Sequence, residues 1–451
     1  MNEIQKSTKE NKQRPKVIIV GGGFGGLHAA KTLANKPVDV ILIDRKNHHT
    51  FQPLLYQVAL SVLAPNNISA SLRGILRAAR NVEVVLGEVT GFDTARRKVK
   101  LEDGAEFEYD YLIVAAGARH AYFGRDEWAK DAPGLKTIED AEGIRSRILL
   151  AFEKAEREAI LTGTQPPLNF AVIGGGPTGV ELAGAIADLA RLGLAKDFKA
   201  IDTRRAVVTL YEGAPRVLGT YSEESSRRAE EQLQELGVEV RTNSLVTEIE
   251  TGRIKVGDRW LPADVIIWAT GVAASPLGKQ LGAKTDRAGR VLIETDLSVP
   301  NNKNIFVIGD MASLVDADGK QVPGLGAAAM QEGKAAAENI LRDLRKRPRE
   351  PFRYDDRGNM ATIGHHRAVA EIKGWKFSGA LAWLLWSIVH VFLLIGFRNR
   401  LTVTREWLWA YFKREGSTPL ITEHGREQFS PVPTDFSVPK PIGAELKAQT
   451  A

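Results

Sequence analysis

"KVIIVGGGFGGLHAAKTLAN", residues 16–35, decides how the chain is read. The apolar run after Lys16 reads as a buried strand, the glycines as a turn, and "LHAAKTLAN" as a helix leading to a second strand, "VDVILID" (38–44). Gly21, Gly23 and Gly26 fit G-x-G-x-x-G between that strand and that helix. The three glycines serve different needs: a tight turn, close approach of a pyrophosphate to the backbone, and close packing of helix on strand. The helix N-terminus adds free N–H groups and a positive dipole end for phosphates. Asp44 ends the second strand, where a carboxylate can accept a ribose hydroxyl bond. A glycine-rich stretch alone can be a flexible turn; the strand, the helix and Asp44 make it a dinucleotide-binding unit.

Outward from there, "VEVVLGEV" (82–89) reads as a strand and "KVKLEDGAEFEYDYLIVAAG" (98–117) as a hairpin running into a buried strand. Residues 138–161 carry apolar residues at helical spacing and make a connecting helix. At Asn169 the opening pattern recurs in "NFAVIGGGPTGVELAGAIADLA", followed by "AVVTLYE" (206–212), "VEVRTNSLV" (238–246) and "DVIIWATG" (264–271). Gly174, Gly176 and Gly179 repeat the fingerprint, and Glu212 takes the place of Asp44. "NIFVIGDMA" (304–312) then reads as the closing strand of the first unit. The expected fold is α/β: two Rossmann-like dinucleotide-binding domains, the second inserted in the first. An acidic residue at 212 favours NADH over NADPH, since a 2′-phosphate would face a carboxylate; Arg216 could instead swing toward such a phosphate. Two units suggest two dinucleotides, a tightly held flavin and an exchangeable nicotinamide cofactor that exchange hydride. One bound nucleotide beside a decayed site is the alternative.

Composition narrows the chemistry. The 451 residues are enough for two or three domains. The 61 Lys and Arg against 55 Asp and Glu leave +6, which does not by itself point to nucleic acid. The absence of cysteine excludes disulfides, thiolate nucleophiles, iron–sulfur clusters and Cys-ligated zinc. "MNEIQKSTKENKQRPK" (1–16) has no apolar core of a signal peptide, so the expectation is a cytosolic start, disordered over 1–15. His365 and His366 are adjacent and would point to opposite faces of a strand, a poor chelate; His48 and His49 lack a partner at metal-ligand spacing. No metal site is expected.

"GVELAG" (179–184), "IIWATG" (266–271) and "NIFVIGD" (304–310) together resemble the two-dinucleotide flavoprotein reductases. "HHTFQPLLYQVA" (48–59) is similar to the hallmark of one family among them, the type II NADH:quinone oxidoreductases, single-subunit and non-pumping. The resemblance covers about residues 16–420. It implies FAD in the first unit, NADH in the second, a quinone as acceptor and a homodimer. It also implies a cofactor-binding set: Gly21, Gly23, Phe24, Gly25, Gly26, Asp44, Arg45, Gln52, Pro53, Ala116 and Gly117; Gly174, Gly176, Pro177, Thr178, Gly179, Glu181, Glu212, Thr270 and Gly271; and Gly309, Asp310, Ala327 and Ala328. Asp310 would bond the ribityl or phosphate region of FAD. Glu181, in the first turn of the second unit's helix, would lie beside nicotinamide and flavin, or be a helix-start carboxylate with no other duty. For the quinone, "GAAAMQ" (326–331) stands where the family shows A-Q-x-A-x-Q: Gln331 takes the second glutamine and Ala327 replaces the first. Gln331 is therefore, with Glu181, a candidate catalytic residue, although the stretch could be simply a well-packed helix. Other acceptors (a ferredoxin or another carrier), or a non-catalytic NADH-sensing role, stay open at this stage.

The implied division is 16–165 with 284–350 for FAD, 166–283 for NADH, 351–425 for a C-terminal membrane-associating region, and 426–451 for a polar tail. "ALAWLLWSIVHVFLLIGFRNR" (380–400) carries the membrane expectation. Its apolar run of about nineteen residues is borderline for a span, which needs about twenty. Lys373 and Lys376 precede it and Arg398, Arg400 and Arg405 follow it, a balance that suits a helix lying on an anionic surface. Tryptophans 383, 386, 407 and 409 suit an interface. In-plane binding through about 376–414, packing in a core or dimer interface, and a true span are the three readings. The family favours the first, on the cytoplasmic side of the cell membrane.

Overall fold

The computed structural model of the protein describes residues 14–413 and 419–421. The expectations for most of 1–15 and for the 426–451 tail fall outside the described residues.

In chain order, β1 (Lys16–Val20), α1 (Phe24–Leu33), β2 (Asp39–Asp44), α2 (Leu55–Ala59), β3 (Val82–Leu86) and β4 (Tyr111–Val114) begin the first unit. A long helix, α3 (Ile138–Thr162), leads on to β5 (Asn169–Ile173), α4 (Pro177–Asp188), β6 (Val207–Tyr211), α5 (Glu223–Glu235), β7 (Val238–Arg241) and β8 (Val265–Trp268). The chain then returns through β9 (Ser298–Val299), β10 (Asn302–Val307) and α6 (Gly326–Leu344). A C-terminal sheet of β11 (Asn359–Gly364), β12 (Arg367–Ile372) and β13 (Trp375–Ser378) precedes α7 (Gly379–Leu393) and α8 (Phe397–Lys413).

The first sheet runs β9-β10-β4-β1-β2-β3 and the second β7-β6-β5-β8. β9 and β10 therefore join strands laid down before the second unit begins, and the second unit is an insertion, as the repeat implied. Both sheets have an apolar central strand buried on both faces: four of five residues of β1 and of β5 are buried. The third glycine of each fingerprint is forced by contact. A Cβ on Gly26 would lie 1.8 Å from the Gly21 carbonyl oxygen, and one on Gly179 equally 1.8 Å from that of Gly174.

Two further glycines fix how helices meet their neighbours. A Cβ on Gly333 of α6 would come within 2.1 Å of the Gly25 carbonyl oxygen, so α1 and α6 touch backbone to backbone. A Cβ on Gly184 of α4 would lie 1.5 Å from the Ile363 carbonyl oxygen, so α4 lies directly on β11. α3 is locked at both ends, by a Thr137–Asp140 capping box and by Gly163 at φ 70°. Its buried Ile144, Ile148 and Phe152 join the core of the second unit.

The C-terminal apolar run is not one helix. Leu394 is extended and Gly396 takes φ 91°, which ends α7 after fifteen residues and starts α8 in a new direction. Fifteen residues rise about 22 Å, short of the roughly 30 Å hydrocarbon core. Among the described residues no helix is long and apolar enough to cross a membrane, so the spanning reading is set aside. The packing reading holds for one face: Ala382 and Trp386 of α7 are buried, and Trp407 of α8 donates from Nε1 to Gln57 Oε1 at 2.7 Å. The opposite face is bare. Leu381, Leu384, Ile388 and Phe392, at spacings of three and four, are each at least half exposed.

Candidate active site

The N-termini of α1 and α4 open onto one cavity of about 430 Å³. Gly23, Phe24 and Gly25 wall it from the first fingerprint, and Pro177, Thr178 and Glu181 from the second. Gln52, Pro53 and Gly117, and Thr270 and Gly271 of the second unit, complete the sides, with Gly309 and Asp310 at the end of the closing strand. These thirteen candidates are scattered over nearly 290 positions of sequence and share one wall.

The rest of the candidate set lies behind or beside that wall. Gly21, Gly26, Gly174 and Gly179 form the two tight turns. A Cβ on Gly23 or Gly176 would meet nothing within 4 Å, so the middle glycine of each turn offers its backbone to open space. That is the cradle a pyrophosphate needs, and the residues present fit two dinucleotides. Asp44 accepts from Gly22 N at 2.5 Å and from Lys46 N at 2.7 Å; Glu212 accepts from Gly175 N at 2.5 Å and from Ala214 N at 2.7 Å. The two units thus hold their strand-end carboxylates in the same way. Arg216 donates to the carbonyls of Tyr221 and Gly219, which commits its guanidinium to its own loop rather than to a ribose phosphate. Arg45 is exposed outside the cavity, and Ala116 lies beside its wall.

The helix after the closing strand departs from expectation. Gly326 and Ala329 of α6 line the cavity; Ala327, Ala328 and Gln331 do not. Gln331 lies roughly 140–200° around the helix from the two lining residues. Its amide is spent on the backbone of Asp355, donating from Nε2 and accepting at Oε1, both at 3.0 Å. In place of a quinone carbonyl, the amide here meets the irregular segment, residues 351–358, that leads from α6 into β11.

Burial sets the electrostatics. Glu181 is raised to about 8 by burial, offset in part by the backbone N–H of Thr362. Asp310 is raised by burial and opposed by the Lys136 ammonium, 3.9 Å away. Behind it Glu332, 2% exposed, is raised to about 7 by burial, although Gly309 N donates to it. Three carboxyls around the cavity therefore hold protons more tightly than carboxyls in water.

Several lining residues were not found from sequence. Lys136, His120, Trp268 and Met360 all reach the cavity. Tyr56 was inside the quoted "HHTFQPLLYQVA" yet had no assigned role. Gln57 Nε2 donates to the Tyr56 hydroxyl at 2.8 Å, and that hydroxyl also pairs with Thr362 Oγ1 at 3.0 Å. A buried chain of polar groups thus runs from Trp407 on α8 through Gln57, Tyr56 and Thr362 to Glu181. No sequence signal could have joined partners 306 positions apart. His49 is 2% exposed and its Nδ1 is 3.0 Å from the Gly22 carbonyl, bracing the first fingerprint loop. Among the described residues no group of three or more His, Cys, Asp or Glu could hold a metal.

Two glycine cradles opening on a shared cavity define a two-dinucleotide flavoprotein fold, and residues 15–333 match the pyridine nucleotide-disulphide oxidoreductase family. Residues 357–414 match the NDH2 C-terminal domain. The chain is 42% identical over 438 residues, 94% of each protein, to the type II NADH:quinone oxidoreductase Ndh of Mycobacterium tuberculosis. It is also 42% identical over 427 residues to NdhA of the same organism, covering 91% of this chain and 90% of that one. A solved structure of NDH2 from Plasmodium falciparum in complex with NADH superposes with a TM-score of 0.82, at 21% identity, over 90% of this chain and all of that one. The chain belongs to the type II NADH:quinone oxidoreductases.

Proposed function

We propose that the protein oxidises NADH on its second nucleotide unit and passes two electrons, through FAD held by the first, to a membrane quinone without pumping protons. The observation that carries this is the shared cavity: both nucleotide-binding helices start on its wall. Bound flavin supplies the chemistry of accepting hydride and releasing electrons. The protein's own contribution is placement. Gly23 and Gly176 leave room for the pyrophosphates, and the N–H groups at the starts of α1 and α4 face them. Asp44 and Glu212 are held by their own loops where they can accept from ribose hydroxyls. Glu181, protonated near neutrality, offers a hydroxyl toward a carboxamide rather than a charge. With no cysteine in the chain, no protein thiol lies on the electron path.

The same proposal includes where the protein works. The bare face of α7, continued by Phe397 and Leu401 at the start of α8, is flanked by Arg398, Arg400 and Arg405. This supports shallow, in-plane attachment to a membrane surface through about residues 376–413, which in this proposal is the cytoplasmic face of the cell membrane. The assembly in this reading is a homodimer, which light scattering in detergent measures.

The decisive experiment is anaerobic stopped flow. NADH should bleach the flavin, a short-chain quinone should restore its colour, and NADPH should be the poorer donor. Quinone turnover that stays slow at every concentration, beside rapid reoxidation by a ferredoxin, would refute the quinone assignment.

A further inference from the structure

Glu332 is a buried carboxyl to which the nucleotide sites give no task. It sits on α6 beside Gly333, whose contact with Gly25 holds α6 against α1, and it is 2% exposed. Its Oε2 accepts from Gly309 N at 2.5 Å. Gly309 and Asp310 line the cavity where β10 ends, so Glu332 stands directly behind that wall. Among the described residues no Lys, Arg or His forms an ion pair with it; Lys136 pairs with Asp310 instead, at 3.9 Å. A buried carboxyl with a backbone donor and no counter-ion is poorly compensated when charged.

The charged surroundings of Glu332 are few. α1 meets α6 here through backbone atoms of Gly25 and Ala29. From the turn after β10 comes the Asp310 carboxyl, whose charge opposes that of Glu332, with Lys136 on its far side. From the segment after α6 comes Tyr354, raised chiefly by burial and in smaller part by acids that include Glu332. Burial, with Asp310 adding to it, brings Glu332 to about 7. About half of the population is then charged at neutral pH, where one added charge nearby displaces the balance most.

We propose that Glu332 is the charge-compensating acid of the flavin site: it takes up a proton from water when the cofactor in the cavity gains electrons and returns it to water when the electrons leave. This rests on FAD in the first unit and is independent of the acceptor. NADH gives up two electrons and one proton, as hydride, and becomes NAD+. At neutral pH the flavin that receives them is one negative charge richer. Glu332 binds a further proton, which cancels that charge. It needs no bond to the cofactor, because charge acts across the Gly309–Asp310 wall in a site of low dielectric.

Glu332→Gln keeps an acceptor for Gly309 N and cannot ionise. The reduction potential of bound FAD, titrated with mediator dyes from pH 5.5 to 8.5, compares it with wild type. At pH 5.5 both carry a neutral group at 332 and their potentials should agree. At pH 8.5 the wild-type charge should lower the reduced:oxidised ratio at a given potential about ten-fold relative to the variant, about 30 mV for two electrons. A bracing role alone would shift the potential equally at every pH. Redox-difference infrared spectra add a second readout: a protonated-carboxyl C=O band should grow on reduction, vanish in Glu332→Gln and remain in Glu181→Gln. Equal potentials at pH 8.5, a gap that ignores pH, or a band that survives in Glu332→Gln would overturn the assignment. If Glu332→Gln fails to hold FAD, the potential of Glu181→Gln decides: more than one proton per two electrons near pH 7.5 supports Glu332, and one or fewer overturns it. Wild-type protein that binds no FAD would instead overturn the flavin reading, and this assignment with it.

Discussion

Glu181→Gln isolates the effect of the most strongly raised cavity carboxyl. With the acid raised from 4.5 to about 8, roughly nine-tenths of the population is protonated at pH 7 and roughly one-tenth at pH 9. Glutamine is close in shape to the protonated form and cannot ionise. If the neutral carboxyl is the form that receives the nicotinamide, wild-type flavin reduction at low NADH should fall about ten-fold from pH 7 to pH 9. The variant should stay near the wild-type pH 7 rate throughout. Stability should follow the same titration. A carboxyl whose folded pKa is raised binds protons more tightly when folded, so wild-type stability is lost as pH rises from 4.5 through 8. At about 1.4 kcal/mol per pH unit, the full shift is at most about 5 kcal/mol, which the variant escapes. Stopped-flow flavin bleaching and thermal melts of the holoprotein from pH 5.5 to 9 measure both effects. A Glu181→Gln variant that keeps an inflection near pH 8, or melts no better relative to wild type at pH 9 than at pH 6, would refute the reasoning.

Glu212→Gln should raise the NADPH:NADH ratio of kcat/KM by about ten-fold, since one charged repulsion is removed; an unchanged ratio would show that this carboxylate does not read the ribose. Leu384→Glu with Ile388→Glu, on the bare face of α7, should abolish flotation with anionic liposomes while FAD stays bound and stability changes by less than about 1 kcal/mol. This pair is a cleaner test than deleting everything past about residue 375, because deletion also removes Trp386, which is 2% exposed in the core. Gly184→Ala places a methyl against the Ile363 carbonyl and should cost on the order of 3 kcal/mol, seen as a lower urea midpoint with weaker NADH binding, since Glu181 sits one turn earlier on the same helix. Wild-type stability in that variant would mean that α4 and β11 can part freely.

The sequence by itself determined the two nucleotide units, because a strand, a glycine turn, a helix and a strand-end acid are ordered by local geometry within one short stretch each, residues 16–44 and 169–212. Asp44 and Glu212 could be placed from spacing alone, and their matched backbone bonds agree with that placement. The exclusion of thiol chemistry needed only composition. What the tertiary structure alone decided is which face of each helix looks into the cavity. Gln331 and His390 illustrate this in opposite senses: the motif residue faces Asp355, and the histidine in an apolar run faces the site. A helix presents all its faces in sequence, and its orientation is fixed by what packs against it, here backbone contacts such as Gly333 on Gly25 and Gly184 on Ile363. For the same reason one apolar run became a buried face and a bare one, since only the neighbours of α7 could say how much of it they would cover.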